Sequence, residues 1–257
     1  MNLHFLKKPF FRKRLLVSSC GRTDTGMKRR RNEDSFCIMR NRNIYIVADG
    51  MGGHNAGDVA SKAAVDSLAQ YYIDNKLNTL VNREAIRHTM IAGFIHANET
   101  IMAMAAEKDP LQGMGCTMIA CYVNNESVHF CHVGDVRGYV ATTKLIRQLT
   151  TDHSYAAQFR QSNSRDPKTL SGPPKNIISR AIGFPFKEDP EYNFSESHSG
   201  IRVFICSDGL WGMIDDPQLH DILFSAPSPE KACETFIERA NEAGGKDNIT
   251  VVSIFID

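Results

Sequence analysis

The stretch that decides the fold runs Ile44-Tyr45-Ile46-Val47-Ala48-Asp49-Gly50-Met51-Gly52-Gly53. Its first half is apolar, rich in β-branched and aromatic residues, and ends at glycines, which predicts a strand followed by a turn. Asp49 therefore stands at a strand end where the backbone carries almost no side chains. Bare backbone allows carbonyl oxygens and a metal ion to approach closely. An ordinary Asp-Gly turn is the alternative interpretation.

Four further aspartates repeat the setting of Asp49, each at the edge of a predicted strand and beside Gly, Asn or Glu. They are Asp34, Asp135, Asp208 and Asp247. Any one of them is common turn chemistry, but strand ends on one rim of a sheet converge in space. Gathered carboxylates are costly unless cations neutralise them. The set therefore predicts a site for Mg²⁺ or Mn²⁺, a pair of which can activate a water for attack on phosphorus.

The composition is that of an ordinary globular protein. The chain has 257 residues, of which 42% are hydrophobic and 23% charged, and no stretch approaches the roughly 20 apolar residues of a membrane helix. Residues 1–31 hold ten Lys or Arg and one acid, so they carry +9 and the remainder −8 of a total of +1. An acidic body suits cations and a basic head suits anions. We expect a basic N-terminal extension over 1–14 and one domain over 15–257.

The seven cysteines indicate a reducing compartment. Their number is odd, and no C-x-x-C pair occurs. Most of them lie in apolar, strand-like runs, as Cys116, Cys121, Cys131 and Cys206 do. They are predicted to be reduced core residues of a cytoplasmic protein, and neither a disulfide framework nor a zinc site.

The order of the predicted elements indicates an α+β fold. Strands are predicted over 15–19, 35–39, 44–48, 116–123, 127–133, 137–141, 201–206 and 249–256. Helices are predicted over 57–75, 83–106 and 229–243, with a short one at the start of a polar loop over 152–176. The three runs between 116 and 141 are typical of a meander. Because strands come in groups and the two long helices are adjacent, antiparallel sheets covered by helix pairs are favoured over a βαβ wind.

A basic run, Lys28-Arg29-Arg30-Arg31, lies directly before Glu33-Asp34. A guanidinium fork binds phosphate through two hydrogen bonds, so this placement favours a phosphate clamp over a solvated face or a nucleic-acid patch. No glycine-rich phosphate loop of a nucleotide-binding fold is present. Among the histidines, His132 is predicted to be a packed strand residue, His153 a hydrogen-bonding residue, and His54 a group that could line the cleft.

Eight motifs in order carry a family resemblance across about 18–256. They are T-D-T-G-M-K-R-R-R-N-E-D-S, V-A-D-G-M-G-G-H-N-A-G-D-V-A-S, G-C-T, H-V-G-D-V-R-G-Y, L-T-T-D-H-S, I-S-R-A-I-G, C-S-D-G-L-W and K-D-N-I-T-V-V. On these motifs the chain resembles the metal-dependent protein serine/threonine phosphatases of type 2C in their bacterial, stand-alone form. The resemblance implies a four-layer αββα sandwich, in which two antiparallel β-sheets are flanked by antiparallel helix pairs.

The resemblance also implies the catalytic metal ligands. Asp49 should bridge two Mn²⁺ or Mg²⁺ ions, the Gly50 carbonyl should bind one of them, and Asp208 and Asp247 the other. A hydroxide bridging the two ions would then attack the phosphorus in line, without a phosphoenzyme.

Supporting roles follow from the same resemblance. Glu33 and Asp34 would act mostly through metal-bound waters, and Arg29 should hold the substrate phosphate. Asp135, together with Asp208, matches a third metal site of bacterial members.

Two further positions bear on the chemistry that the resemblance implies. Met51 stands where animal members carry a histidine that is proposed as the general acid, so the leaving-group proton must come from a metal-bound water or another group. The loop over 155–175 matches a flap beside the active site.

The implied substrates are phosphoserine and phosphothreonine proteins, and the implied partner is a bacterial Ser/Thr kinase that the phosphatase opposes. We expect a monomer. We also expect no nucleic-acid partner, because the basic residues over 28–31 lack interleaved aromatic residues. Two alternatives remain: a pseudophosphatase that binds phosphoproteins or regulates a partner, and a phosphatase of a small phosphate ester. The intact set of candidate ligands argues against the first, and a substrate test is needed for the second.

Overall fold

Two antiparallel sheets of five strands each carry the described part of the chain, which is residues 15–51, 56–107, 109–162 and 177–257 of a computed structural model. The strands are β1 (Val17–Asp24), β2 (Asp34–Met39), β3 (Ile44–Met51), β4 (Gly115–Val123), β5 (Ser127–Val133), β6 (Arg137–Thr142), β7 (Leu145–Gln148), β8 (Glu191–Glu196), β9 (Arg202–Cys206) and β10 (Ile249–Ile256). The helices are α1 (Gly57–Asp74), α2 (Arg83–Glu107), α3 (Tyr155–Ser162), α4 (Asp208–Trp211), α5 (Asp216–Ser225) and α6 (Pro229–Glu242).

Strand β3 explains why the sheets are sandwiched. The first sheet has the order β1-β10-β9-β6-β7 and the second β2-β3-β4-β5-β8. On β3, Ile46 and Ala48 face a core shared with α1 and α2, whereas Tyr45 and Val47 face a core shared with the first sheet. Successive side chains of a strand point to opposite faces. A strand that is apolar throughout must therefore be covered on both sides.

Three apolar cores separate four layers. Leu68 and Phe94 belong to the core between the helix pair α1 and α2 and the second sheet. Phe130 and Ile205 belong to the core between the sheets. Phe236 belongs to the core between the first sheet and the helices α5 and α6. The predicted αββα sandwich of two antiparallel sheets is therefore confirmed.

The predicted meander over 116–141 is wrong in its last step. Strands β4 and β5 pair as expected, but β6 joins the other sheet, between β9 and β7. Gly134 makes this crossing with φ +104, and a Cβ added to it would lie 2.3 Å from the side chain of Thr117. A glycine between two strand-like runs is compatible with both a hairpin and a crossing, so the sequence pattern alone does not separate them.

Several elements differ from the prediction. Strand β1 begins two residues later than expected and continues to Asp24, five residues beyond its predicted end. Strands β7 and β8 and helices α4 and α5 were not predicted. Helix α5 nevertheless carries a recognisable start, because the Asp215 carboxylate accepts a hydrogen bond from the Gln218 backbone N–H at 3.0 Å.

Some predictions fall on residues that are not described. They are the extension over 1–14, His54 and the greater part of the flap, at 163–175. Among the described helices, none combines the length and the apolar character needed to cross a membrane.

Candidate metal centre

The first two carboxylates of the centre meet across neighbouring strands. In the pair formed by β2 and β3, Asp34 lies directly opposite Asp49, where like charges are unfavourable. Asp34 is 8% exposed, and its Oδ2 accepts a hydrogen bond from the Ser207 hydroxyl at 2.7 Å. Its Oδ1 is buried and has no hydrogen-bond partner among the described residues. Burial, followed by the nearby Asp208 and Asp247 charges, raises the pKa of Asp34 to about 7.

The structure brings the other four predicted aspartates within electrostatic reach of Asp49. Burial and then the charges of the other four hold the pKa of Asp49 well above its ordinary value. Burial and then the Asp247 charge raise the pKa of Asp208 to about 6. Burial and the Asp208 charge raise the pKa of Asp135 to about 7. Each shift has the direction that desolvation and like charges produce.

Gly50 lies where three backbone segments converge. Its N–H donates a hydrogen bond to the Glu33 carbonyl at 3.1 Å. A Cβ added to Gly50 would lie 2.2 Å from the Gly57 carbonyl oxygen and 2.5 Å from the Glu33 carbonyl oxygen, so only glycine fits. The Glu33 carboxyl group lies in the same place, because a Cβ on Gly57 would be 2.9 Å from its carboxyl carbon. Burial raises the pKa of Glu33, and the Arg29 charge opposes that shift.

Asp247 and Arg29 form an ion pair at the rim of the centre. The Arg29 Nη2 donates to the Asp247 Oδ2 at 2.7 Å, and both side chains remain partly exposed. The other Asp247 oxygen accepts a hydrogen bond from the Asn248 backbone N–H at 2.8 Å. The guanidinium therefore lies at a candidate ligand and still faces solvent.

Asn248 and Ser207 hold the ligand-bearing segments together, although sequence reasoning assigned them no role. The Asn248 side-chain amide donates to the carbonyls of Thr25 at 2.9 Å and Arg31 at 2.8 Å, and its oxygen accepts from the Glu33 N–H at 2.8 Å. The Ser207 hydroxyl accepts a hydrogen bond from a β10 N–H at 3.0 Å. Both residues stand inside the quoted motifs, next to an aspartate, and that position was the available signal.

The Asp135 backbone is held by Trp211, against which Arg137 packs. The Trp211 indole N–H donates to the Asp135 carbonyl at 3.0 Å. The Arg137 guanidinium lies 3.6 Å from the centre of the Trp211 ring and donates to both carboxylate oxygens of Asp152, at 2.9 and 2.7 Å. Asp135 therefore reaches the centre from the crossing between the sheets.

A second cluster joins His132, His153 and Glu191, whose ligand atoms all lie within 4.8 Å of one another. The His132 ring is fully buried, as predicted, and burial lowers its pKa to about 4. The His153 Nδ1 accepts from the Gly134 N–H at 3.1 Å, so its proton is on Nε2, which lies 3.4 Å from Glu191. The cationic Arg180 also lies 3.3 Å from that nitrogen. This cluster is a hydrogen-bonded support for Gly134 and is poorly suited to a cation.

The acidic centre fits a divalent metal by its own chemistry. Its donors are carboxylate and carbonyl oxygens, which are the ligands of Mg²⁺ and Mn²⁺. The Oδ1 atoms of Asp34 and Asp208 are buried without a hydrogen-bond partner among the described residues. Unpartnered buried carboxylates that repel one another are stabilised by a cation.

Comparisons of this chain with known sequences and structures agree on one protein family. The family model for Protein phosphatase 2C matches residues 27–247. The serine/threonine phosphatase stp of Listeria welshimeri is 36% identical over 237 residues, which cover 91% of this chain and 93% of that protein. The structure of the Mycobacterium tuberculosis serine/threonine phosphatase PstP/Ppp is similar with a TM-score of 0.82 and 29% identity, covering 93% of this chain and 98% of that chain. A structure of the PstP catalytic domain in complex with two manganese ions is similar with a TM-score of 0.78 and 28% identity. The match covers 94% of this chain and 99% of that chain.

Proposed function

Because this chain belongs to the protein phosphatase 2C family, we propose that its acidic centre hydrolyses phosphoserine and phosphothreonine in proteins with the help of two Mn²⁺ or Mg²⁺ ions. The enzyme class, a serine/threonine phosphatase, follows from the family. The observation that supports the metal-dependent mechanism is the gathering of four aspartates around Asp49, whose charges raise its pKa. The manganese ions of the PstP structure support the same choice of metal.

In this proposal Asp49 would contribute to both ions, the Gly50 carbonyl to one of them, and Asp208 and Asp247 to the other. When bound, two such ions lower the pKa of a water between them and so supply the hydroxide nucleophile. The protein itself positions part of this donor set, because the Ser207 hydroxyl binds one Asp34 oxygen and the Gly50 N–H binds the Glu33 carbonyl.

Arg29 is proposed to bind the phosphate of the substrate. Its guanidinium lies beside a candidate ligand and faces solvent, so it can orient a phosphate dianion toward the centre. Glu33 and Asp34 are proposed to hold waters, and Asp135 with Asp208 to hold a third ion. Met51 offers no proton to the leaving group, so another group must supply it.

We also propose the cellular setting. Phosphothreonine proteins are products of Ser/Thr kinases, so the enzyme would oppose such a kinase. The seven cysteines are all free, and five of them are buried, which supports a reducing cytoplasmic compartment. We propose that the chain acts there as a monomer.

The test is hydrolysis of a phosphothreonine peptide and of p-nitrophenyl phosphate in the presence of Mn²⁺, Mg²⁺, Ca²⁺ or EDTA. Turnover of both compounds with Mn²⁺ or Mg²⁺, and its loss in EDTA, is the expected result. Binding of the peptide without turnover under every metal would support the pseudophosphatase alternative. Turnover of the small ester with no activity on any phosphopeptide would support the small-ester alternative.

A further inference from the structure

A groove lies beside the acidic centre, at the strand end that carries Asp49. Its volume is about 360 Å³, and it is lined by Met51 and by residues from 178–187. Met51 lies two residues after Asp49 and therefore on the same face of β3. Gly115 lies opposite Met51 in the neighbouring strand, and a Cβ on Gly115 would be 2.7 Å from the Phe184 ring. The groove therefore begins at the strand end that carries Asp49.

The backbone that forms the groove wall is fixed. Ile182 exchanges two hydrogen bonds with the Cys116 backbone, at 2.9 and 3.1 Å. The buried Asn98 side chain accepts from the Gly183 N–H at 2.7 Å and donates to the Phe184 carbonyl at 3.1 Å. A wall held in this way loses little conformational freedom when a ligand binds, so the contacts it makes contribute more fully to affinity.

The surface of the groove is apolar although it faces solvent. Phe184 is 42% exposed, and Met51, Ile178, Pro185 and Phe186 line the same groove. Single exposed apolar residues are ordinary in proteins, whereas a contiguous set beside a candidate active site indicates a binding surface. A groove of this volume accommodates a side chain or a short peptide segment.

One end of the groove carries a positive charge. Lys187 lines the groove, and within the described part of the chain it makes no ion pair. The neighbouring cation, Arg180, donates to the Glu188 carbonyl at 2.8 Å and to the Asp189 carbonyl. Arg180 therefore shapes the segment, and Lys187 is the cation that is available to a ligand.

We propose that this groove is a substrate subsite, which takes an apolar side chain one to three residues away from the phosphorylated Ser or Thr of a phosphoprotein. Lys187 would favour an acidic residue next to that side chain. The spacing follows from the strand, because Asp49 and Met51 are about 7 Å apart along β3 and an extended peptide advances about 3.3 Å per residue. The proposal rests on the proposed phosphatase function and makes Phe184 a specificity-determining residue.

The experiment compares phosphothreonine peptides that carry Leu or Asn at each position within three residues of the phosphothreonine. At one of these positions, the kcat/KM of the wild-type enzyme should be about tenfold higher for the Leu peptide than for the Asn peptide. Phe184→Ala should reduce that ratio below about twofold, and Phe184→Leu should retain it. N-acetyl-phosphothreonine amide has no flanking residues, so its kcat/KM should change by less than about twofold.

The matched control is Phe194→Ala. Phe194 is also 42% exposed, but it lies on β8 under the guanidinium of Arg83 and does not line the groove. This variant should keep the wild-type preference. A second pair of peptides carries Asp or Lys next to the apolar residue. The wild-type enzyme should prefer the Asp peptide, and Lys187→Glu should reverse that preference. Thermal unfolding of each variant separates a local effect from misfolding, since Phe184 is half exposed and a substitution there should leave Tm nearly unchanged.

Each outcome decides the proposal. A wild-type enzyme without a Leu preference at any position, or a preference that survives in Phe184→Ala, would overturn it. If the wild-type enzyme hydrolyses neither N-acetyl-phosphothreonine amide nor any peptide, the proposed function fails. The groove is then tested by measuring the affinity of fluorescently labelled versions of the same peptides by fluorescence anisotropy. A Leu over Asn affinity ratio that Phe184→Ala abolishes supports the groove, and equal affinities reject it.

Discussion

A carboxylate directly opposite another carboxylate on neighbouring strands is unfavourable, and Asp34 and Asp49 are placed in this way. The pair lies next to Gly50, where the surrounding backbone leaves room only for glycine. One Asp34 oxygen is buried without a hydrogen-bond partner among the described residues. Such a local conflict is typical of a functional site, where binding rather than folding determines the residue. At the scale of the residue, the carboxylates of the centre repel one another, and a bound cation would relieve that repulsion.

Asp49→Asn and Asp208→Asn test this interpretation at single residues. Either substitution removes a negative donor, so with saturating Mn²⁺ kcat should fall by more than about 100-fold, the largest loss typical of residues that only support a ligand. Steady-state turnover of a phosphothreonine peptide measures it. Asp66→Asn, at an exposed ion pair on α1, is the control and should keep wild-type activity. Near-normal turnover of purified Asp49→Asn would contradict the two-metal mechanism.

Arg29→Ala tests phosphate binding. A hydrogen bond to a charged group contributes about 1.5–3 kcal/mol, so KM should rise by about 10- to 140-fold, while kcat changes less. Arg30→Ala removes an equal charge from the adjacent position and should leave KM within about twofold, as expected for a solvated side chain. The reverse pattern, with an unchanged KM in Arg29→Ala and a raised one in Arg30→Ala, would assign the phosphate clamp to Arg30.

The sequence was informative about single residues where a motif has a chemical reason. Aspartates at strand edges beside glycine were recognisable, and the structure brings all five together. Asn248 and Ser207 were not recognised as supports, because the Glu33 N–H that Asn248 binds and the Asp34 carboxylate that Ser207 binds are more than 170 positions away in the chain. Phe184 carried no signal at all, since an exposed aromatic residue becomes informative only when its neighbours in space are known.

At the scale of the element, the crossing from β5 to β6 is the decisive feature. It passes through Gly134 and carries the chain from one sheet to the other directly before Asp135. Local propensity predicted both strands correctly, with β6 ending one residue beyond its predicted limit. Their assignment to different sheets depends on long-range pairing, which a local pattern does not contain. The missed strand β8 is half exposed at the edge of its sheet, so it lacks the apolar run that marks β3 and β10.

Arg137→Met tests the element that follows this crossing. The Arg137 and Asp152 side chains are 16% and 7% exposed, so the substitution leaves a buried carboxylate without its cation. Breaking a buried pair in this way costs about 3–5 kcal/mol of unfolding free energy. Urea unfolding measures it, with Arg87→Met as the control, because the exposed pair of Arg87 with Glu84 contributes about 0.5 kcal/mol or less. Equal losses in the two variants would show that the buried pair has no special role.

At the scale of the whole molecule, the four-layer architecture brings ligands from two sheets to one place. Asp34 and Asp49 belong to the second sheet, whereas Asp208 and Asp247 lie at the ends of β9 and β10 in the first. The antiparallel sheets and helix pairs were predictable from the grouping of the strands and the two adjacent long helices, and the four layers from the family resemblance. A metal bound between these carboxylates would tie the two sheets together, so its effect should appear in the stability of the entire domain.

The pH dependence of that effect has a definite sign. The pKa values of Asp34 and Asp135, about 7, and of Asp208, about 6, lie above the unfolded value of about 3.9. The stability that these groups contribute to the metal-free protein is fully present below pH 4 and is lost as the pH rises to about 7. The buried His129 and His132, with pKa values of about 4, act in the opposite direction between pH 6.5 and 4.

The difference between the Tm with Mn²⁺ and the Tm with EDTA separates these contributions, because the histidines affect both samples equally. At pH 8 the carboxylates of Asp34, Asp135 and Asp208 are ionised. Mn²⁺ at 100 times its Kd should then stabilise the fold by about 2.7 kcal/mol, which corresponds to about 5–10 °C for a domain of this size. At pH 5.5 protons compete for the same oxygens, so the increase in Tm should be less than about half as large. Asp49→Asn should show little increase at either pH. An increase in Tm that is equal at both pH values, or one that persists in Asp49→Asn, would mean that Mn²⁺ binds elsewhere.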